Sequence, residues 1–121
     1  MTEVTEYVAS LPDPERAVVA GLLDRVPALV PDAEQGTSYG MAAYRHRGRP
    51  LVAVAVGPRG CTAYPFSSDV TAAVLATLDG FDATKGGIRF TVDRPLPGDA
   101  FDALVTGRRA EIDAALERRR G

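Results

Sequence analysis

The stretch Arg45-His46-Arg47-Gly48-Arg49-Pro50-Leu51-Val52-Ala53-Val54-Ala55-Val56-Gly57-Pro58-Arg59-Gly60-Cys61-Thr62-Ala63-Tyr64 decides the fold class. Its first six residues are polar and hold Gly and Pro, the composition of a hairpin turn. Leu51 to Val56 is an uninterrupted apolar run, which predicts a central strand covered on both faces. Its faces differ. Val52, Val54 and Val56 are β-branched, whereas Leu51, Ala53 and Ala55 are mostly small and would let something approach closely. Gly57 to Gly60 reads as a second turn and Cys61 to Tyr64 as the next strand. Thr37 to Tyr44, short and aromatic, is the strand before the first turn. Short connections make this a three-stranded antiparallel meander.

Helical patterns flank it. Val4, Tyr7 and Val8 are spaced for a short first helix. Asp13-Pro14-Glu15 reads as a helix start, with Asp13 capping and Pro14 in the first turn. Val18, Val19, Leu22, Leu23 and Val26 mark its apolar face, and Pro27 ends or kinks it. Ser67 or Ser68 caps a helix with Val70, Ala73, Val74 and Leu78 inward, ended by Gly80. Ile88 to Val92 alternates like a strand with Arg89 and Thr91 outward. Asp99 caps a last helix with Phe101, Leu104, Val105, Ile112 and Leu116 inward. The order α-α-β-β-β-α-β-α predicts one α+β domain over residues 1–121, an antiparallel sheet of about four or more strands with helices packed on it.

Composition narrows the function. The 121 residues are 45% hydrophobic and 25% charged, with net charge -2. That near-neutral balance argues against nucleic acid or a membrane surface as partner. No apolar run approaches a membrane span, and the first residues lack the basic-then-apolar order of a signal peptide, so a cytoplasmic location is the expectation. One cysteine, Cys61, excludes an intrachain disulfide and a thiolate metal site. Thirteen of the fourteen basic residues are Arg, and Lys85 is the single Lys. Arg and Lys differ in hydration and donor geometry, so that one Lys draws notice.

The chemistry-bearing residues form loose groups. Lys85-Gly86-Gly87 sets two glycines behind a cation and ahead of Arg89. Free backbone N–H groups beside two cations suit an anion, while a plain glycine turn into a strand is the commoner meaning. Tyr39 and Met41 flank Gly40 inside the first strand, and Tyr44 and Tyr64 add phenols, so a tyrosine-lined pocket stands beside ordinary core packing. Arg108 falls on the apolar stripe of the last helix, where it must snorkel, pair or meet a ligand. His46, in an arginine-flanked turn, reads as solvated. Cys61 reads as a buried structural thiol. The early carboxylates, Glu3, Glu6, Asp13, Glu15, Asp24, Asp32 and Glu34, have no metal-loop spacing and read as a solvated acidic face.

Several of these segments together resemble a known family. Ser38-Tyr39-Gly40-Met41-Ala42-Ala43-Tyr44 resembles the "isYGMPaf" motif of the YdhG-like domain family. Thr84-Lys85-Gly86-Gly87-Ile88-Arg89-Phe90 resembles its "sKGtIRFp" motif, and Arg94-Pro95-Leu96-Pro97 its "kPLP". Tyr7 with Leu11-Pro12, Pro31, Tyr64-Pro65, and Val105 with Arg108 also fall where that family has them, so the resemblance spans nearly the whole chain. Ala42 replaces the motif proline, and Thr91 stands where a second proline is usual. The resemblance implies a frataxin-like α+β fold of bacterial type. One described family role is an intracellular iron chaperone that supplies iron for Fe–S cluster and haem assembly through surface carboxylates.

Two functions follow as expectations. The first is a non-enzymatic carrier of a small anionic molecule, without a cofactor or metal, with its site among Tyr39, Met41, Tyr44, Tyr64, Lys85, Arg89 and Arg108. The second is an iron chaperone acting through the N-terminal carboxylates. An enzyme using Lys85, and monomer against homodimer, stay open at this level.

Overall fold

The computed structural model describes residues 2–84 and 86–120, with backbone only at 119 and 120. The elements are α1 (Glu3–Ser10), α2 (Glu15–Leu23), α3 (Val26–Leu29), β1 (Glu34–Ser38), β2 (Met41–His46), β3 (Arg49–Gly57), β4 (Gly60–Tyr64), α4 (Ser68–Leu75), β5 (Asp82–Thr84), β6 (Gly87–Phe90) and α5 (Gly98–Arg120). The strands form one antiparallel six-stranded sheet in the order β1-β2-β3-β4-β6-β5. The α+β reading therefore stands, with β3 in the interior of the sheet.

Register assigns the two faces, because cross-strand partners share a face. Val54 pairs with Ala63, Val56 with Cys61, Cys61 with Phe90, and Ala63 with Ile88. This face carries the core with Val19, Leu22, Leu51, Phe101, Leu104, Val105 and Ile112. On the other face Ala53 pairs with Tyr64, Ala55 with Thr62, and Thr62 with Arg89. Leu51 to Val54 are buried as expected, but Ala55 and Val56 are only half-buried, so the strand is covered on both faces for part of its length. The small face of β3 becomes the floor of an open surface.

Three expectations are corrected. Residues 37–44 are not one strand: Tyr39 and Gly40 take φ of 52° and 76° and turn the chain, pairing Ser38 with Met41. Two central residues with φ above zero match the twist of a two-residue hairpin, so the meander has four strands. Asp13 does not cap α2. The cap position is Pro14 without a side-chain bond, and Asp13 pairs with Arg16 at 3.7 Å. The third helix of the reading, α4, ends at Leu75 rather than at Gly80, and hydrogen-bonded turns continue to Leu78. Ser67 does cap it, its Oγ accepting from the Val70 N–H at 3.2 Å.

Two side chains hold the open surface in shape. The β2–β3 ladder comprises only Tyr44↔Val52, Arg45↔Pro50 and His46↔Arg49, with a register shift at Tyr44/Arg45. Beyond Val52 the strands part, and the Val56 N–H donates instead to Tyr7 Oη at 2.8 Å. Arg45 ties the first hairpin together, donating from Nη1 to the Thr37 carbonyl at 2.8 Å and from Nη2 to the Gly48 carbonyl.

Candidate functional site

The densest collection of expected site residues is a hollow of about 390 Å³ beside the first hairpin, lined by Tyr39, Met41, Tyr64, Phe66, Ser67 and Gly86. Tyr39 is 83% exposed, and its ring stacks on Phe66 with centroids 5.5 Å apart and planes at 20°. Both residues sit at positive φ, 52° for Tyr39 and 56° for Phe66. Bulky residues rarely adopt that backbone, and strain of this kind collects where a site needs it. Here it sets two aromatic rings face to face at the mouth of an apolar hollow.

Phe66 and Ser67 also line a second, open hollow of about 640 Å³ with Arg108, Glu111 and Arg118. A hydrogen-bonded chain fixes this end. Arg108 Nε donates to the Pro50 carbonyl at 2.9 Å, and its Nη1 donates to Glu111 Oε1 at 3.3 Å. Ser67 Oγ donates to Glu111 Oε2 at 2.8 Å. Arg108 thus answers the irregularity on the α5 stripe by pairing, while keeping a place in the wall of the hollow. The Phe66-Ser67 bridge joins an aromatic, apolar end to a cationic one.

The other expected residues lie elsewhere. Arg89 lines a third hollow with Arg59, Thr62 and Tyr64, so Tyr64 is its link to the aromatic end. Tyr44 is 8% exposed, pairs with Val52 and lines a separate hollow with Pro27 and Ala33. Burial first, and Asp24 second, push its phenol pKa up. Lys85 lies outside the described residues. Its neighbour Gly86 takes φ of 86°, and Gly87 lies against β4, where a Cβ would meet the Ala63 carbonyl oxygen at 2.5 Å. Both glycines are required by backbone geometry, the turn by Gly86 and the close approach by Gly87.

His46 is not a solvated turn residue. It is 2% exposed, its Nε2 lies 2.8 Å from Asp113 Oδ1, and its Nδ1 lies 3.5 Å from Asp32 Oδ1. The bond from His46, followed by that from Arg47 Nη1 at 3.1 Å, holds the Asp113 carboxyl below the usual carboxylate range. Cys61 is buried as expected, and burial first, then Glu15, push its thiol pKa up. Among the described residues no group of three or more His, Cys, Asp or Glu side chains is placed to hold a metal. No described helix is long and apolar enough to cross a membrane.

No protein-family model matches the sequence, and no curated protein matches it. Among solved structures, a crystal structure of a DUF1801-family protein, YdhG from Bacillus subtilis, superposes with a TM-score of 0.70 at 17% identity, covering 88% of each chain. The chain has the YdhG-like fold. Within that fold the aromatic turn of the first hairpin and the glycine pair at the start of β6 meet at one hollow, through Tyr39 and Gly86. Sequence reading missed Phe66, Arg59 and Glu111. Phe66 carried a signal, since an apolar residue just before a Ser N-cap is the position that packs against its own helix or a neighbour.

Proposed function

We propose that this YdhG-like protein is a non-enzymatic binding or carrier protein for a small organic anion with an apolar body. The observation that carries the reading is the continuity of the two hollows through Phe66 and Ser67. Tyr39, Met41, Tyr64 and Phe66 would cover the apolar body, and Arg118, beside the Arg108–Glu111 pair, would face the charge. Mostly apolar walls with a few convergent polar groups are the usual make-up of a small-molecule site. The buried thiol of Cys61 and the enclosed ring of His46 offer no activated nucleophile. Iron carriage finds no comparable support, since among the described residues no group of three or more His, Cys, Asp or Glu side chains is placed to hold a metal.

Calorimetric titration with 2-naphthoate and with neutral 2-naphthalenemethanol tests the reading. The anion should bind more tightly than the alcohol, Phe66→Ala should weaken both, and Arg118→Gln should weaken only the anion. Lys85→Ala, in the motif next to Gly86, should weaken the anion too. Equal binding of anion and alcohol, or unchanged affinity in Phe66→Ala, would sink the assignment.

A further inference from the structure

The third hollow, about 260 Å³, holds two arginines that the aromatic groove does not use. Arg59 sits in the turn between β3 and β4, and Arg89 is the outward residue of β6. Both are exposed, and neither has an ion pair or side-chain hydrogen bond among the described residues. Several other described arginines behave differently. Arg25 is bidentate to Asp102 at 2.8 Å on both arms, Arg94 donates to the Asp79 carbonyl at 2.8 Å, and Arg109 donates to the Leu29 carbonyl at 3.0 Å. Most guanidinium groups among the described residues serve as internal clamps. These two share one concavity and leave their donors unspent.

The walls between them suit an oxyanion. Thr62 is the cross-strand partner of Arg89 and brings a hydroxyl, and Tyr64 brings a phenol on the same face. Ala55, Gly57 and Gly60 keep the floor low, so a compact group can reach the backbone. Among the described residues no carboxylate lines the hollow. Two acids stand at its margins: Asp82 on β5 pairs in register with Arg89, and Glu15 lines a neighbouring hollow together with Arg59. Arg forks match phosphate bidentately, and charge-assisted bonds of this type are about twice as strong as neutral ones.

We propose that Arg59, Arg89 and Thr62 form an oxyanion site, selective for phosphate or a phosphate monoester, on the open sheet face across Tyr64 from the aromatic groove. It does not rest on the carrier reading, because Phe66 and Arg108 take no part in it.

The test is a titration of ¹⁵N-labelled protein with sodium phosphate at constant ionic strength, following the arginine Nε–Hε resonances. Arg59 and Arg89 should shift together and saturate, and Arg49 should not. Arg59→Gln and Arg89→Gln should each weaken binding about tenfold, the equivalent of one lost charge-assisted bond. Arg89→Lys should fall between wild type and Arg89→Gln, because it keeps the charge and loses the fork. Phe66→Ala should leave phosphate binding unchanged. Linear, non-saturating shifts shared by all exposed arginines would overturn the proposal, as would wild-type affinity in Arg89→Gln or Arg89→Lys. Since both arginines are exposed, a well-dispersed amide spectrum in each variant separates loss of binding from loss of fold.

Discussion

Gly87→Ala tests the link between the glycine pair and the aromatic hollow. A methyl at this position would lie 2.5 Å from the Ala63 carbonyl oxygen, 2.9 Å from Thr62 Cγ2 and 3.0 Å from Tyr64 Cδ1. The first contact is with backbone inside the β4–β6 ladder, which is pinned by Cys61↔Phe90, Thr62↔Arg89 and Ala63↔Ile88. It cannot be relieved by a rotamer change, so the strands must part locally. Overpacking of this kind costs about 1–3 kcal/mol, and the gain from a less flexible unfolded chain returns only about 0.4–1 kcal/mol. A net loss of about 1–2 kcal/mol is expected, or roughly 3–10 °C in Tm for a chain of this size. Because Tyr64 must also move, naphthoate binding should weaken in the same variant. Gly86→Ala is the control. A Cβ there meets nothing within 4 Å, but φ is 86°, so the cost is backbone strain of about 1–2 kcal/mol without displacement of Tyr64. Thermal unfolding followed by circular dichroism, with calorimetric titration of both variants, reads the two effects separately. Wild-type stability in Gly87→Ala, or intact ligand affinity despite its destabilisation, would refute the reasoning.

Three further outcomes follow from the same geometry. Tyr7→Phe leaves the Val56 N–H without its 2.8 Å acceptor and should lower stability by about 1–2 kcal/mol in urea unfolding. Ser67→Ala removes both the α4 cap and the donor to Glu111, and should cost about 0.5–2 kcal/mol by the same assay. Asp102 is held below the usual carboxylate range chiefly by its bond from Arg25, and Asp113 likewise by His46. Lowered folded values mean stability that is present above roughly pH 4 and lost as pH falls through them, so the urea midpoint should drop steeply below that pH. Asp102→Asn should be less stable at pH 7 and show a shallower acid limb.

What the sequence revealed depended on the range of the interaction. The helices follow from 3.6-residue periodicity, and β3, β4 and β6 from an apolar run, turn boundaries and 2-residue alternation, all of which are local. The turn at Tyr39-Gly40 did not, because tyrosine seldom takes positive φ and the flanking residues read as one continuous strand. The β5 strand, Asp82–Thr84, has three residues and little burial, too weak a pattern to separate from a loop. His46 appeared solvated because its partner Asp113 lies 67 positions away on α5, and no local pattern announces that meeting. For the site, the aromatic motif and the glycine pair were legible as segments, and the hollow joins Tyr39, Met41, Tyr64 and Gly86. The distribution of Arg89, Arg108 and Tyr44 over three other hollows depends on which face and which end each occupies, and that is a tertiary fact.

The shape of the open surface is set by residues outside it. The β2–β3 ladder stops at Tyr44↔Val52, and the strands diverge with Tyr7 Oη taking the Val56 N–H. The divergence leaves Met41 at the edge of the aromatic hollow and Ala55 on the floor of the arginine hollow. If the tyrosine bond is lost, β3 regains freedom to close toward β2, which would narrow the aromatic end while leaving the α4 and α5 walls in place. Tyr7→Phe should therefore weaken naphthoate binding without touching any residue that contacts it. A stability loss in that variant with unchanged affinity would show that the bulge at Tyr44/Arg45 alone holds the strands apart.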